Sequence, residues 1–105
     1  MKGGILALLA LVIPLADAMA NGDEWRVPFI TTPADVVERM LEIADTRAND
    51  LVIDLGSGDG RIVIAGAQQF GARALGNELD AALVEKSRKN AELAQVSSRA
   101  SFVQG

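Results

Sequence analysis

The features of this sequence best suited to chemistry are a glycine-rich run and an acid that follows it at a fixed distance. Residues 56–60 read GSGDG and come directly after the apolar run Leu51–Leu55. Glycines let a ligand approach the backbone without obstruction by side chains. Glu78 lies 22 residues beyond Gly56 (78 − 56), close to the spacing of about 20 at which nucleotide-binding folds place an acid on the ribose hydroxyls. The alternative is an ordinary turn and a solvated carboxylate, but the two features together favour a nucleotide-type site.

Two nucleotide chemistries compete for this pattern. Dinucleotide-dependent oxidoreductases use G-x-G-x-x-G, and the third glycine of that motif would fall at Arg61. Asp54, two positions before the first glycine, would repel a pyrophosphate but suits a ligand that carries an amino group and a sulfonium. S-adenosylmethionine carries both groups, so the sequence favours it over NAD.

Composition excludes several other kinds of site. The chain has 105 residues, no cysteine, no histidine and a formal net charge of −4. A disulfide framework, the usual zinc clusters and histidine-based acid–base chemistry are therefore excluded, and we expect no metal. An acidic chain also lacks the electrostatic footprint for a phosphate backbone, so we expect no nucleic-acid partner.

Helices and strands alternate around these residues. The pattern predicts a helix with Thr32 as N-cap and Pro33 as its first residue, which runs to Arg47. The strand 51–55, the glycine run, a helix 61–70 closed by Gly71, and a strand 72–77 follow. Asp80 is predicted to cap a helix to about residue 95, before a strand from 100 to 104. This alternation predicts an α/β fold with a parallel sheet, helices on both faces and ligands at the carboxyl ends of the strands.

The first 20 residues have the build of a secretory signal peptide. A positive start at Lys2, an apolar run over residues 5–15 and the small-residue sequence 18–20 predict cleavage after Ala20. An uncleaved membrane anchor is the alternative, but Asp17 cuts the run short of the roughly 20 apolar residues that a span requires. We therefore divide the chain into a signal peptide (1–20), an extended strap (21–32) and a partial α/β domain (33–105). The mature protein is expected to be exported, to the periplasm or the medium, although no synthesis of S-adenosylmethionine is expected there.

Two segments resemble the motifs of the class I, seven-β-strand S-adenosylmethionine-dependent methyltransferases. Residues 52–60, VIDLGSGDG, resemble their first motif, and residues 76–80, GNELD, resemble their second. Residues 32–41 and 59–64 are similar to bacterial relatives of the mitochondrial lysine methyltransferases that modify the c-ring protein of ATP synthase and the adenine nucleotide translocase. The resemblance covers about residues 28–105.

The resemblance implies a Rossmann-like three-layer sandwich of which this chain holds only the first three strands, as an N-terminal fragment. It implies that Asp54 organises the loop and the cofactor's amino group, that the loop amides face the methionine part, and that Leu79 packs near the adenine. Asn77 departs from the family pattern, which has an apolar residue there. The implied cofactor-binding residues are Asp54, Gly56, Ser57, Gly58, Gly60, Glu78 and Leu79.

The function that follows is S-adenosylmethionine-dependent methyl transfer, with protein lysine as a possible acceptor. The acceptor itself and the catalytic residues are not assigned by the sequence. A non-catalytic module that binds S-adenosylmethionine or a nucleotide is the first alternative, and an NAD-dependent oxidoreductase is the second. A membrane partner is expected only if the N-terminal segment is an uncleaved anchor.

Overall fold

The computed structural model describes residues 31–105 in full and residues 5–8 as a strand of backbone. Predictions for the remainder of residues 1–30, including the cleavage point and most of the strap, lie outside the described residues. The elements are β1 (Ile5–Leu8), α1 (Ala34–Ile43), β2 (Leu51–Leu55), α2 (Arg61–Phe70), β3 (Arg73–Glu78), α3 (Ala81–Leu93) and β4 (Ala100–Gln104). None of the described helices is long and apolar enough to cross a membrane.

The strands form one parallel sheet in the order β1-β2-β3-β4. Leu55 of β2 lies opposite Asn77 of β3, which in turn lies opposite Val103 of β4. The α/β class and the parallel sheet are confirmed. Because all strands run the same way, their carboxyl ends lie on one edge, where the glycine run and Glu78 follow β2 and end β3.

β1 is a strand that the sequence did not predict, since its residues fall within the expected signal peptide. It pairs with β2 from Ile5 opposite Leu51 to Leu8 opposite Asp54. An unpaired apolar strand edge offers a row of free hydrogen-bonding groups to any extended segment, and β1 covers the edge of β2 that faces away from β3. The described sheet therefore has four strands where the resemblance implied three, and the signal peptide stays a prediction.

Two of the described helices, α2 and α3, cover one face of the sheet, and α1 packs outside them on α2. A Cβ added at Gly66 of α2 would lie 3.4 Å from a methyl of Val52 and 3.9 Å from the Cβ of Ala74, and α3 packs against β3, β4 and α2. Successive right-handed crossovers that move in one direction across a sheet place their helices on one side. The prediction was helices on both faces of the sheet. In the described residues the helices lie on one face.

Helix ends agree with the sequence where a side chain or a glycine sets them. Asp80 caps α3 by accepting hydrogen bonds from the N–H groups of Ala82 and Leu83, and Gly71 ends α2 in the left-handed conformation, so both predictions are confirmed. Thr32 as the cap of α1 is wrong, because the structure places Pro33 at that position without a side-chain cap. α1 also ends at Ile43, four residues earlier than predicted.

Candidate functional site

The loop of residues 56–60, called the glycine loop below, joins β2 to α2 through three left-handed glycines. Gly56, Gly58 and Gly60 have φ angles of 80°, 57° and 85°. A residue with a Cβ is disfavoured in this region by roughly 1–2 kcal/mol. The alternation of glycines in the sequence therefore follows from the shape of the loop.

The glycine loop uses most of its amides to attach itself to the fold. The N–H groups of Gly56 and Ser57 both donate to the carbonyl of Asn77, at 2.7 and 2.9 Å, and the N–H of Gly60 donates to the carbonyl of Ser57 at 2.9 Å. The resemblance implied that these amides face a ligand, and in this conformation they do not. What the loop offers a ligand is close approach to its backbone.

Glu78 ends β3 beside the glycine loop, and two backbone amides hold its carboxylate. Oε1 accepts from the N–H of Gly58 at 3.1 Å, and Oε2 accepts from the N–H of Asp80 at 2.8 Å. A carboxylate offers about four acceptor positions, so each oxygen keeps one lone pair for a ligand. Glu78 is half-buried, which leaves that side of the carboxylate open.

The side chains of Asp54 in β2 and of Ser57 in the glycine loop are both buried. Asp54 is 1 % exposed and Ser57 is 6 % exposed. The Oγ of Ser57 has no hydrogen-bond partner among the described residues. Asp54 reaches the surface hardly at all, and the two roles that the resemblance implied for it, towards the loop and towards the cofactor's amino group, stay predictions.

The Asn77 side chain needs no buried partner, because β3 turns it to the face that the described helices leave uncovered. Its neighbours Gly76 and Glu78 alternate to the helix-covered face, and Asn77 is partly exposed. The side chain of Asn77 therefore contacts solvent, and its backbone carbonyl accepts the hydrogen bonds from the glycine loop.

Phe102 of β4 supports the glycine loop from the sheet. Its ring lies so close to Gly60 and Gly76 that a Cβ added at either glycine would approach ring carbons to 2.8 and 2.7 Å. Gly76 is closed on a second side, since its Cβ would lie 2.6 Å from the Oγ of Ser57. Both glycines are therefore required by packing, and Gly60 is required by its φ angle as well.

α3 contacts the glycine loop through two side chains three residues apart. The Oγ of Ser87 donates to the carbonyl of Gly58 at 2.9 Å, and the Nδ2 of Asn90 donates to the carbonyl of Asp59 at 3.0 Å. Ser87 is fully buried. Two consecutive loop carbonyls are thus turned towards α3.

Arg61 pairs with the neighbouring Asp59 and not with solvent. Its Nη2 lies 2.6 Å from Asp59 Oδ2, and its Nη1 donates to the carbonyl of Thr32 at 2.9 Å. The hydrogen bond from the Arg61 side chain lowers the pKa of Asp59, and the same bond raises the pKa of Arg61. Arg61 thereby links the glycine loop to the segment before α1.

An apolar rim lies at the carboxyl edge of the sheet, with Leu79 directly after Glu78 and with Leu55 and Val103 on the face that the described helices leave uncovered. Leu79 is 79 % exposed, and Leu55 and Val103 are each 48 % exposed. Exposed leucines this close to a polar cleft fit the flat apolar surface of a base. The resemblance pointed to Leu79, whereas the contribution of Leu55 and Val103 depends on the strand register.

A groove of ≈ 280 Å³ lies between the three helices and shares Asp59 and Arg61 with the glycine loop. It is not lined by Glu78 or Leu79, so we assign the candidate site to the open carboxyl edge of the sheet. Among the described residues no group of acidic side chains could hold a metal ion.

The structure brings together the main residues that the sequence predicted. Gly58 and Glu78 are joined by a hydrogen bond, and Leu79 follows directly. Sequence reasoning missed the support by Phe102, Ser87 and Asn90. One signal was available, because Ser87 is a polar residue on the buried face of α3 and such a residue needs a partner.

Comparison with known proteins defines the class. No family model matches the chain. The chain is 45% identical over 80 residues to a protein-lysine N-methyltransferase of Saccharolobus islandicus, which is 75% of this chain and 50% of that protein. It is 46% identical over 67 residues to the adenine nucleotide translocase lysine N-methyltransferase of Mus musculus, which is 63% of this chain and 28% of that protein.

A solved structure extends the comparison to the fold. The crystal structure of an RNA methyltransferase from Salinibacter ruber in complex with S-adenosyl-L-homocysteine matches with a TM-score of 0.72 and 54% identity, over 72% of this chain and 50% of that one. Over the part it spans, the chain has the Rossmann-like fold of the class I S-adenosylmethionine-dependent methyltransferases and is similar to them in sequence. Within that class its curated relatives include protein-lysine N-methyltransferases, of which it spans about half the length or less.

Proposed function

We propose that this chain binds S-adenosylmethionine as the methyl-donor part of a protein-lysine N-methyltransferase. The observation that carries the proposal is the carboxylate of Glu78, held by the amides of Gly58 and Asp80 at the end of β3, beside a loop of left-handed glycines. The similarity to methyltransferases, including one crystallised with S-adenosyl-L-homocysteine, supports the same cofactor.

The described residues fit the ribose of this cofactor. A ribose presents two neighbouring hydroxyl donors, and Glu78 keeps one acceptor position on each of its two oxygens. The amides of Gly58 and Asp80 fix the carboxylate before a ligand arrives. Because the acceptors are already oriented, little side-chain freedom is lost on binding.

The surroundings of Glu78 fit the two ends of the cofactor. Leu79, which follows Glu78 directly, supplies apolar surface for the adenine. The glycine loop lets the methionine part approach the backbone, and the carboxylate of Asp54 beneath it favours a ligand with positive charge. The cofactor would thus lie across the carboxyl ends of β2 and β3, where α/β sheets bind their ligands.

When bound, S-adenosylmethionine supplies an electrophilic methyl group on a sulfonium. Its transfer is an in-line displacement, which an enzyme promotes by holding donor and acceptor in reach and in line. The residues of this chain hold the donor: Glu78 fixes the ribose and the glycine loop sets how deep the ligand lies. We assign no catalytic residue.

Protein lysine is the acceptor we propose, on the similarity to lysine methyltransferases of Saccharolobus islandicus and Mus musculus. RNA is the second candidate, because the structure from Salinibacter ruber is that of an RNA methyltransferase and is 54% identical. The net charge of −4 favours the first, since RNA binding needs a basic surface.

Calorimetric titration of the 105-residue chain with S-adenosyl-L-homocysteine tests the donor site. Glu78→Ala removes the acceptors of both ribose hydroxyls and should weaken binding by about 1.5–3 kcal/mol, or roughly 10- to 150-fold. Glu85→Ala is the matched control, because Glu85 is an exposed acid on α3. Equal affinity of the two variants would refute the ribose assignment, and tight binding of NAD would favour an oxidoreductase.

Methyl transfer separates the acceptors. Labelled S-adenosylmethionine is incubated with the protein recovered from the source cell, so that any acceptor-binding part accompanies the donor part, and with either a lysine-rich protein fraction or total RNA. We expect label in protein and its loss after lysine acetylation. Label in RNA would favour the second candidate, and binding without transfer to either would favour a non-catalytic binding module.

We also propose that the chain is exported, on the strength of its N-terminal sequence alone. Intact-mass measurement of protein recovered from the source cell should give a chain that begins at Asn21. A mass that retains Met1 would favour a membrane anchor or a protein that is not processed.

A further inference from the structure

We infer that Ser87 is a positioning residue for the ligand site: it sets the conformation of Gly58 and, through it, the orientation of the Glu78 carboxylate. The inference rests on the proposed function, since the ligand it concerns is the one that Glu78 would bind. Ser87 itself lies under the loop, and the atom it contacts is a loop carbonyl.

Gly58 is held from both sides. Its N–H donates to Oε1 of Glu78 at 3.1 Å, and its carbonyl accepts from the Oγ of Ser87 at 2.9 Å. Glycine has little intrinsic preference among backbone conformations, so the bonds on its two sides decide which one Gly58 adopts. Here they select a left-handed φ of 57°.

The two contacts are linked a second time through α3. The N–H of Asp80 donates to the other oxygen of Glu78, and the side chain of Asp80 caps the first turn of α3. Ser87 follows two turns later, about 10 Å along the helix axis. The hydrogen bonds therefore form a closed ring that α3 completes. Its members are Gly58, Glu78, Asp80 and Ser87.

Burial makes the Ser87 contact hard to replace. Ser87 is 0 % exposed and Gly58 is buried, so water cannot readily take over the bond if the hydroxyl is removed. An unpaired buried carbonyl is costly, and the flexible Gly58 has other conformations available to it. We therefore expect Gly58 to leave its left-handed conformation, which turns the 58–59 peptide that carries its carbonyl and also the 57–58 peptide that points its N–H at Glu78.

Asn90 reinforces the same arrangement one residue later. Its Nδ2 donates to the carbonyl of Asp59 at 3.0 Å, and the peptide that carries this carbonyl continues into Gly60. Asn90 is only partly buried, so water can substitute for it in part. Removing the Asn90 side chain should weaken ligand binding, as removing the Ser87 hydroxyl does, but to a smaller extent.

The test compares Ser87→Ala with Ala91→Gly in the 105-residue chain. Both lie on the buried face of α3, and Ala91→Gly weakens the helix without touching the loop. Each variant is measured by urea unfolding, by titration with S-adenosyl-L-homocysteine, and by hydrogen exchange of the Gly58 amide in the ligand-free chain.

We expect Ser87→Ala to weaken binding about tenfold and to speed Gly58 exchange relative to the amides of β3. Ala91→Gly should lower the unfolding midpoint and leave the dissociation constant within about twofold. Asn90→Ala is expected to weaken binding about threefold. Because Asn90 is partly exposed, this variant should fold and can replace Ser87→Ala if that variant does not fold.

A Ser87→Ala chain with a lower midpoint but unchanged affinity and unchanged Gly58 exchange would overturn the inference, because Ser87 would then serve stability alone. If the unsubstituted chain bound no S-adenosyl-L-homocysteine, the proposed function would fail. The exchange of Gly58, which needs no ligand, would still decide between a positioning role for Ser87 and none.

Discussion

Gly76 is the position at which a single methyl group should do most damage to the glycine loop. Gly76 lies in β3 directly opposite Asp54 and Phe102. A Cβ there would lie 2.6 Å from the Oγ of Ser57 and 2.7 Å from a ring carbon of Phe102. Because carbon contacts are favourable only from about 3.5 Å, Gly76→Ala must push both neighbours by close to an ångström.

Neither neighbour of Gly76 can move freely. Ser57 and Phe102 are each 6 % exposed, and the ring of Phe102 is also fitted against Gly60. Overpacking of this kind costs typically about 1–3 kcal/mol. Since Gly76 has no positive φ, the whole cost arises from packing. We expect about 2 kcal/mol, which is a large part of the stability of a domain of this size.

Gly66→Ala is the matched control. Gly66 is also a buried glycine on the covered side of the sheet, but its Cβ would lie 3.4 Å from the nearest atom, a methyl of Val52. That contact is close to ordinary, and alanine is favoured over glycine within a helix by roughly 0.5–1 kcal/mol. Gly66→Ala should therefore be neutral or stabilising.

Urea unfolding followed by circular dichroism measures both changes. With a slope of about 1 kcal/mol per M, Gly76→Ala should lower the midpoint by about 2 M and Gly66→Ala should leave it equal or higher. Equal midpoints for Gly76→Ala and the unsubstituted chain would refute the reasoning, because Ser57 and Phe102 could not then occupy the space beside Gly76.

The remaining predictions concern charge and the sheet edge. The lowered pKa of Asp59 means that its pairing with Arg61 stabilises the fold above the unfolded pKa of 3.8 and that this stability is lost as the pH falls through the folded pKa. Asp59→Asn should remove that part of the acid dependence, and acid titrations of unchanged shape would contradict it. A chain of residues 21–105 lacks β1, which leaves one edge of β2 unpaired. Light scattering should therefore show more self-association for this chain than for the 105-residue chain. Equal self-association of the two would mean that β1 does not protect the edge of β2.

The sequence predicted what local rules determine. The glycines of residues 56–60 are dictated by left-handed φ angles that few other residues adopt, and Asp80 shows the side-chain oxygen that a helix start requires. The end of α1 was predicted too late because Asp45 adopts a left-handed φ of 55° although it is not a glycine. Propensity alone does not reveal such a residue.

What the sequence did not predict depends on contacts between distant residues. Gly76 and Phe102 are 26 positions apart (102 − 76) and meet only because β3 and β4 pair in one register. The Ser87 contact with Gly58 spans 29 positions and requires the crossover that lays α3 on the sheet. β1 was missed because its apolar run fits a signal peptide as well as a strand, and its partner strand β2 lies 46 positions further along the chain (51 − 5).

The relatives of this chain are named for two different methyl acceptors. The chain matches a protein-lysine methyltransferase at 45% identity and an RNA methyltransferase at 54% identity, and in each case it covers 50% of the relative. Similar identity to proteins named for different acceptors means that the shared stretch does not by itself select the acceptor. In the proposed function the glycine loop, Glu78 and Leu79 hold the methyl donor, which both kinds of enzyme use. Substitutions at Glu78 should therefore lower transfer to any acceptor alike, and acceptor choice should follow surfaces outside the donor site.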